Sequence, residues 1–276
     1  MGKDVLVVIG VGGMGLAIAR RLGGNKRVLL ADFNEETLVG AAELLRGEGH
    51  DITTSTVDVA HRETVAALAD QAEQLGRVVQ VAHTAGLSPA QAPVEAIVAV
   101  DLLGVAYVLD EFARVVAPGG AGVVVASMAG SMAMDGVPVE MARALSVTPT
   151  EELAALPFLT PEALGNPGAA YSISKRANQL RVQGAAGAWG ARGARINSIS
   201  PGVISTPMGQ EELAGASGEQ MRGMVAASAT GRLGTPDDIA AAAAFLLGPE
   251  ATFVTGTDLL VDGGVVAAVR WSLPGA

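Results

Sequence analysis

Short apolar runs rich in β-branched residues alternate along this chain with longer segments whose apolar positions recur at helical spacing. The runs are Asp4–Ile9, Arg27–Ala31, Ile52–Val57, Val78–Ala82, Val123–Ala126, Ala194–Ile199 and Thr257–Val261. Asp4–Ile9, continuous, apolar and β-branched, predicts a strand buried on both faces, and the other runs read as strands as well. Helices are predicted between them, over His61–Leu75, 94–117, Ala169–Trp189 and Asp237–Leu247, the last opened by Thr235 and Pro236. Strand–helix alternation predicts an α/β fold with a parallel sheet and helices on both faces. About seven strands in one domain over residues 1–276 are expected, with no repeat or linker.

Two segments break the rhythm. Residues 131–168 carry five prolines between apolar residues, an insertion with short helices expected near Pro138–Leu145 and Thr150–Leu156. Residues 207–230 are polar, glycine-rich and Met-containing, a candidate mobile lid. Met132, Met134, Val137 and Met141 in the first, with Met208, Leu213 and Met221 in the second, suggest an apolar, adaptable pocket.

The first strand runs straight into Gly10-Val11-Gly12-Gly13-Met14-Gly15 and then a helix. G-x-G-x-x-G between strand and helix lets backbone N–H groups approach a pyrophosphate at the helix N-terminus. Asp32 ends the second strand 17 residues beyond Gly15 and suits the carboxylate that accepts ribose hydroxyls. It would repel a 2′-phosphate, and neither Phe33-Asn34 nor the glycine turn holds an Arg or Lys. NAD is therefore expected over NADP. Asp58, Ala85-Gly86 and Ser127 also fall at strand C-terminal ends, where ligands of a doubly wound sheet gather.

Tyr171 and Lys175 lie four apart on a predicted helix and so share a face. A phenol acting as base near neutral pH must drop by about 2–3 units, and a neighbouring ammonium is the simplest cause.

Composition narrows the picture. The chain has no Cys, which excludes disulfides and thiolate chemistry. Its net charge of −10, without basic stripes, argues against nucleic acid. No apolar run is long enough to span a membrane, and the N-terminus lacks a signal-peptide layout, so a cytoplasmic protein is expected. His50, His61 and His83 show no metal-ligand spacing.

Taken together, these ordered features resemble the short-chain dehydrogenase/reductase family over about residues 3–264. They are the glycine turn, Asp32, Asp58-Val59, Ala85-Gly86, Ser127, Tyr171-x-x-x-Lys175, Arg195-x-Asn197, Pro201-Gly202 and Asp262-Gly263-Gly264. The resemblance implies a single Rossmann-like domain and interconversion of a secondary alcohol and a ketone. It implies Tyr171 as acid/base, Ser127 as the hydroxyl that fixes the substrate oxygen, and Lys175 as the ribose-binding residue that lowers the Tyr pKa. Asp58 and Val59 correspond to adenine contacts, and Pro201, Gly202, Val203 and Thr206 to the segment holding the nicotinamide carboxamide. A homodimer or homotetramer is implied too.

The sequence departs from the family pattern in four places. The glycine turn is one residue short, His83-Thr84 replaces Asn-Asn, and Asp101 stands at the usual active-site Asn. Ser127 and Tyr171 are 44 residues apart because the insertion lies between them. Some bacterial hydroxysteroid dehydrogenases carry a similar insertion, which suggests a bulky, steroid-like alcohol and places the insertion near the substrate mouth. An enoyl reductase would want a wider Tyr–Lys spacing. The alternative is a catalytically silent dinucleotide sensor on the same fold.

Overall fold

A computed structural model describes residues 3–90 and 92–271, the side chain of Asp135 excepted; the remainder of the 1–276 span lies outside the described residues. The strands are β1 Asp4–Ile9, β2 Arg27–Asp32, β3 Asp51–Thr56, β4 Arg77–His83, β5 Val116–Val125, β6 Arg195–Pro201 and β7 Asp258–Val261. They form one parallel sheet in the order β3-β2-β1-β4-β5-β6-β7. The order reverses between β1 and β4, and the crevice at that switch point is where such a sheet receives a ligand.

β1 shows why the sheet is buried on both sides. Val5 to Ile9 are all fully buried. Side chains alternate across a strand, so Val5, Val7 and Ile9 pack with Leu68, Leu109, Phe112 and Trp189 on one face. Leu6 and Val8 pack with Ile18, Leu38, Ile239 and Leu246 on the other. Each such side chain contributes about 1.5–3 kcal/mol on burial, and Val7→Asp would bury a charge among apolar neighbours.

Helix Pro167–Ala191 runs along the first of these faces. Asn166 caps it by accepting from the Ala169 N–H at 3.0 Å, with Pro167 in the first turn. The insertion lies along its flank rather than over the sheet edge. Helix Val139–Val147, the short helical turn Thr150–Leu153 and Leu159 bring Leu145, Leu153 and Leu159 against Leu102, Ala106, Ala177 and Leu180. Arg181 ties the segment down through the Thr148 carbonyl at 2.6 Å and the Thr150 hydroxyl at 2.8 Å.

Two expectations needed correction, and the candidate lid takes a definite form. The helix predicted over 94–117 is Val94–Ile97, a π-helical turn Val98–Gly104, and Val105–Val115. The extra residue of a π turn rotates the following side chains, and Asp101 sits inside it, fully buried. β5 begins at Val116, not Val123; Pro118, Gly119 and Gly120 read as breakers, but the strand absorbs them with a register shift opposite Val78–Gln80. The 207–230 stretch is largely two helices, Pro207–Ala214 and Gly218–Ala227.

Candidate active site

The glycine turn builds one end of the crevice from backbone. Gly10 has φ +88, and a Cβ there would lie 2.4 Å from the Ala85 nitrogen. A Cβ on Gly15 would lie 1.9 Å from the Gly10 carbonyl oxygen. Gly15 therefore serves close packing of turn and helix and does not border the cleft. Helix Gly13–Leu22 starts at Gly12 with no side chain capping it and no acidic residue in its first turn. Its orphan N–H groups and positive dipole end are left for an anion. Thr206 packs against Gly13, where a Cβ would come within 3.0 Å of its methyl.

Asp32 accepts from the Val11 N–H at 2.7 Å and the Asn34 N–H at 2.9 Å. Two of its roughly four lone-pair positions are thus used, and the others stay open to hydroxyl donors. It lines a cleft of about 490 Å³ with Gly10, Gly12, Phe33, Asp58, Val59, Ala85, Gly86 and Val100, and no described Arg or Lys borders that cleft. Asp58 turns its carboxylate back onto the Ala60 N–H at 3.0 Å. Gly86 lets the backbone pack closely on the buried pair, since a Cβ there would meet Lys175 Nζ at 3.1 Å and Asp101 Oδ1 at 3.2 Å. A turn of bare N–H groups and a ribose-facing carboxylate fit a dinucleotide.

A second cleft, of about 400 Å³, adjoins the first, and Met208 borders both. Ser127 and Tyr171 lie in it together, with Met14, Pro201, Gly202, Val203 and Thr206. Ser127 follows β5 and caps the turn Met128–Met132 through the Ala129 N–H at 3.1 Å. Its hydroxyl is also near enough to the Tyr171 phenol to act on its pKa. The Lys175 ammonium stands over the Tyr171 ring, 5.4 Å from its centroid. It is buried, with Asp101 Oδ2 3.6 Å away, while Asp101 Oδ1 accepts from the Leu87 N–H at 2.8 Å.

The electrostatics reverse one expectation. The Tyr171 phenol is held above its usual value: burial raises it, the Lys175 ammonium and the Ser127 hydroxyl lower it, and the carboxylates of Asp101 and Glu212 raise it. Lys175 acts in the expected direction but does not win, because burial outweighs it and Asp101 adds to the rise. Burial opposes the Lys175 ammonium, yet Asp101 and Tyr171 hold its pKa above the ordinary lysine value. Burial likewise pushes the Asp101 carboxyl up, against Lys175 and the Leu87 N–H. Asp101 borders neither cleft, so it reaches the site through Lys175 and is a positioning residue. Buried His83, at the end of β4, is held neutral with its pKa lowered to about 3 by burial and by Lys175.

The expected pocket lining also changes. Met132, Met208 and Met221 border the second cleft, whereas Met134, Val137, Met141 and Leu213 do not. Met141 packs under Leu145 and Leu213 beside Met224, each filling a small core of its own segment. Arg195 and Asn197 are structural: Arg195 binds the Leu246, Gly248 and Val254 carbonyls, and Asn197 bridges Val254 and Thr257. Glu212, Met128 and Met224 line the cleft without having been expected there. Glu212 lies four residues after Met208, so a helix recognised over 207–214 would have placed both on one face.

Residues 3–141 match the family model described as short chain dehydrogenase, and residues 155–266 match one described as enoyl-(acyl carrier protein) reductase. The chain belongs to the short-chain dehydrogenase/reductase family. Among its relatives, the short-chain dehydrogenase/reductase bsc3 of Alternaria brassicicola is 40% identical over 97% of both chains. The 3-alpha-hydroxysteroid dehydrogenase/carbonyl reductase of Comamonas testosteroni is 31% identical over 85% of this chain and 95% of its own. A solved 3-alpha-hydroxysteroid dehydrogenase from Pseudomonas sp. B-0831, complexed with NADH, superposes with a TM-score of 0.77 at 29% identity, covering 98% of this chain and all of that one (100%). These relatives are named as dehydrogenases and reductases, and this short-chain dehydrogenase/reductase is an oxidoreductase of the same family. No described helix is long and apolar enough to cross a membrane.

Proposed function

We propose that this protein is an NAD-dependent oxidoreductase that interconverts a secondary alcohol and a ketone, with Tyr171 as the acid/base. The observation that carries the reading is the joint placement of Ser127 and Tyr171 in one cleft, with Lys175 against the phenol ring, beside a second cleft shaped for a dinucleotide. Gly10, Gly12, Gly13 and Met14 would hold the pyrophosphate, Asp32 and Phe33 the adenosine ribose, Asp58 and Val59 the adenine. Ala85, Gly86, Tyr171, Lys175, Pro201, Gly202, Val203 and Thr206 would surround the nicotinamide end. The carboxylate pair Asp32 and Asp58, with no described cation bordering the cleft, favours NAD over a cofactor carrying a 2′-phosphate.

Bound dinucleotide supplies the acceptor or donor of hydride. In the oxidising direction the carbinol C–H leaves as hydride and the hydroxyl proton passes to the Tyr171 oxygen. In the reducing direction Tyr171 returns that proton to the carbonyl oxygen. Ser127 holds the substrate oxygen against the phenol. A phenol pushed up by burial is a ready proton donor, so the protein by itself favours the reducing role, and oxidation gains as pH rises.

The second cleft supports a bulky, apolar substrate such as a steroid-like alcohol. Met14, Met128, Met132, Met208, Met221 and Met224 border it, six of the chain's nine methionines. Thioethers on unbranched chains adapt to irregular apolar shapes. Exposed Phe253 and Phe245, with Leu260 on edge strand β7, support association of copies as part of this reading.

The test is a screen of NAD and NADP against secondary alcohols, read as absorbance of the reduced cofactor, in wild type and Tyr171→Phe. Turnover with NAD that falls by about 10²–10⁴-fold in the variant is expected. Equal turnover in both would remove Tyr171 from the chemistry. Dinucleotide binding without turnover of any alcohol or ketone would favour the silent sensor.

A further inference from the structure

Among the described residues bordering the Tyr171 cleft, Glu212 is the single one with a carboxylate, and no Lys or Arg joins it there. It projects from helix Pro207–Ala214, which is set by Thr206 accepting from the Gly209 N–H at 3.1 Å. Its side chain is half-buried; burial raises its pKa, and the buried Ser88 hydroxyl lies close enough to oppose that rise. It lies close enough to Tyr171 for its charge to act on the phenol. Around it the lining mixes six methionines with small residues and neutral Ser172, Ser217 and Gln220.

A half-buried carboxylate in a cleft with no cation beside it is costly unless something there donates to it. It offers about four acceptor positions, and the Ser88 hydroxyl can satisfy one. A purely apolar substrate would cover it without replacing the water it loses. We propose that Glu212 is a specificity-determining residue that accepts a hydrogen bond from a second hydroxyl of the substrate, remote from the reacting carbinol. The substrate class is then a bulky apolar skeleton carrying two hydroxyls, or a hydroxyl and the ketone. A hydroxyl is favoured over an ammonium because a buried ammonium needs three acceptors, and the described lining holds no other anionic group. The proposal rests on the alcohol–ketone reading above.

The test compares alcohols in matched sets on one ring skeleton: the mono-alcohol, the diol with one added hydroxyl, and the amino alcohol with an amine in its place. Each is measured with wild type, Glu212→Gln and Glu212→Leu, both as kcat/KM with NAD and as Kd by calorimetry on the protein saturated with NADH. Wild type should prefer the best diol over its mono-alcohol by about 10–100-fold, the range of one charge-assisted hydrogen bond. Glu212→Leu should bring that ratio to about one, and Glu212→Gln should keep part of it, since the amide oxygen still accepts. A diol preference unchanged in Glu212→Leu overturns the proposal, as does the absence of any diol preference in wild type. A wild-type preference for the amino alcohol overturns the hydroxyl assignment. If no alcohol turns over, the alcohol–ketone reading fails, while the Kd ratios still decide the role of Glu212.

Discussion

The dinucleotide side of the crevice is surfaced mainly by backbone and small residues from within the first 100 residues, whereas the substrate side, drawn mainly from residues 126 to 269, adds six methionines to its small residues. On the first side, missing atoms do the shaping: Gly10, Gly15 and Gly86 each sit where a methyl would strike backbone or a buried charge pair. On the second, six methionines, three serines, a tyrosine and a glutamate help shape the space. Backbone geometry has few solutions and tolerates no added atom. A methionine lining has many solutions, so the same fold can accept different substrates over a fixed cofactor cradle.

The largest effect should come from adding one methyl to the rigid side. Gly15→Ala places a Cβ 1.9 Å from the Gly10 oxygen. Turn and helix must separate, with a loss of about 1–3 kcal/mol and of NADH affinity. Thermal melting and a fluorescence titration with NADH measure the two. An unchanged Kd would show that the turn is as yielding as the methionine side.

A smaller, sharper effect should follow from exchanging charge at the ribose end. Asp32→Ala removes the carboxylate that would oppose a 2′-phosphate and accept the ribose hydroxyls. The ratio of kcat/KM for NAD over NADP should fall by about tenfold or more, the scale of one charge-assisted hydrogen bond. A ratio that does not move would place cofactor choice elsewhere on the cleft.

The smallest effect joins the two sides. Asp101→Asn removes one carboxylate that raises both Tyr171 and Lys175. Both groups should therefore titrate at lower pH. For alcohol oxidation, the rising limb, where Tyr171 loses its proton, and the falling limb, where Lys175 loses its charge, should each move down. A kcat/KM profile between about pH 6 and 11 reads both limbs around the reference Tyr and Lys values. Limbs that stay in place would mean that Asp101 only holds the Leu87 backbone.

Much of the molecule is legible from the chain alone because it is local. A strand, a glycine turn and a helix follow one another within residues 4–22, and Tyr171 and Lys175 share a face by helical spacing. Strand alternation was enough to set out seven parallel strands. The misread part had a local signal that tertiary packing overrode: Pro118-Gly119-Gly120 inside β5.

What the sequence by itself determined is the order of elements and the placing of Tyr171 and Lys175 on one helix face, since both depend on neighbours within a few residues. What only the tertiary structure decided is the balance of forces on that pair. Asp101 meets Lys175 across 74 positions of sequence, 3.6 Å apart, and Glu212 comes to act on Tyr171 from a separate helix. Burial and through-space charge belong to the assembled fold, so whether the phenol sits above or below its ordinary pKa could not be read from the spacing of a tyrosine and a lysine.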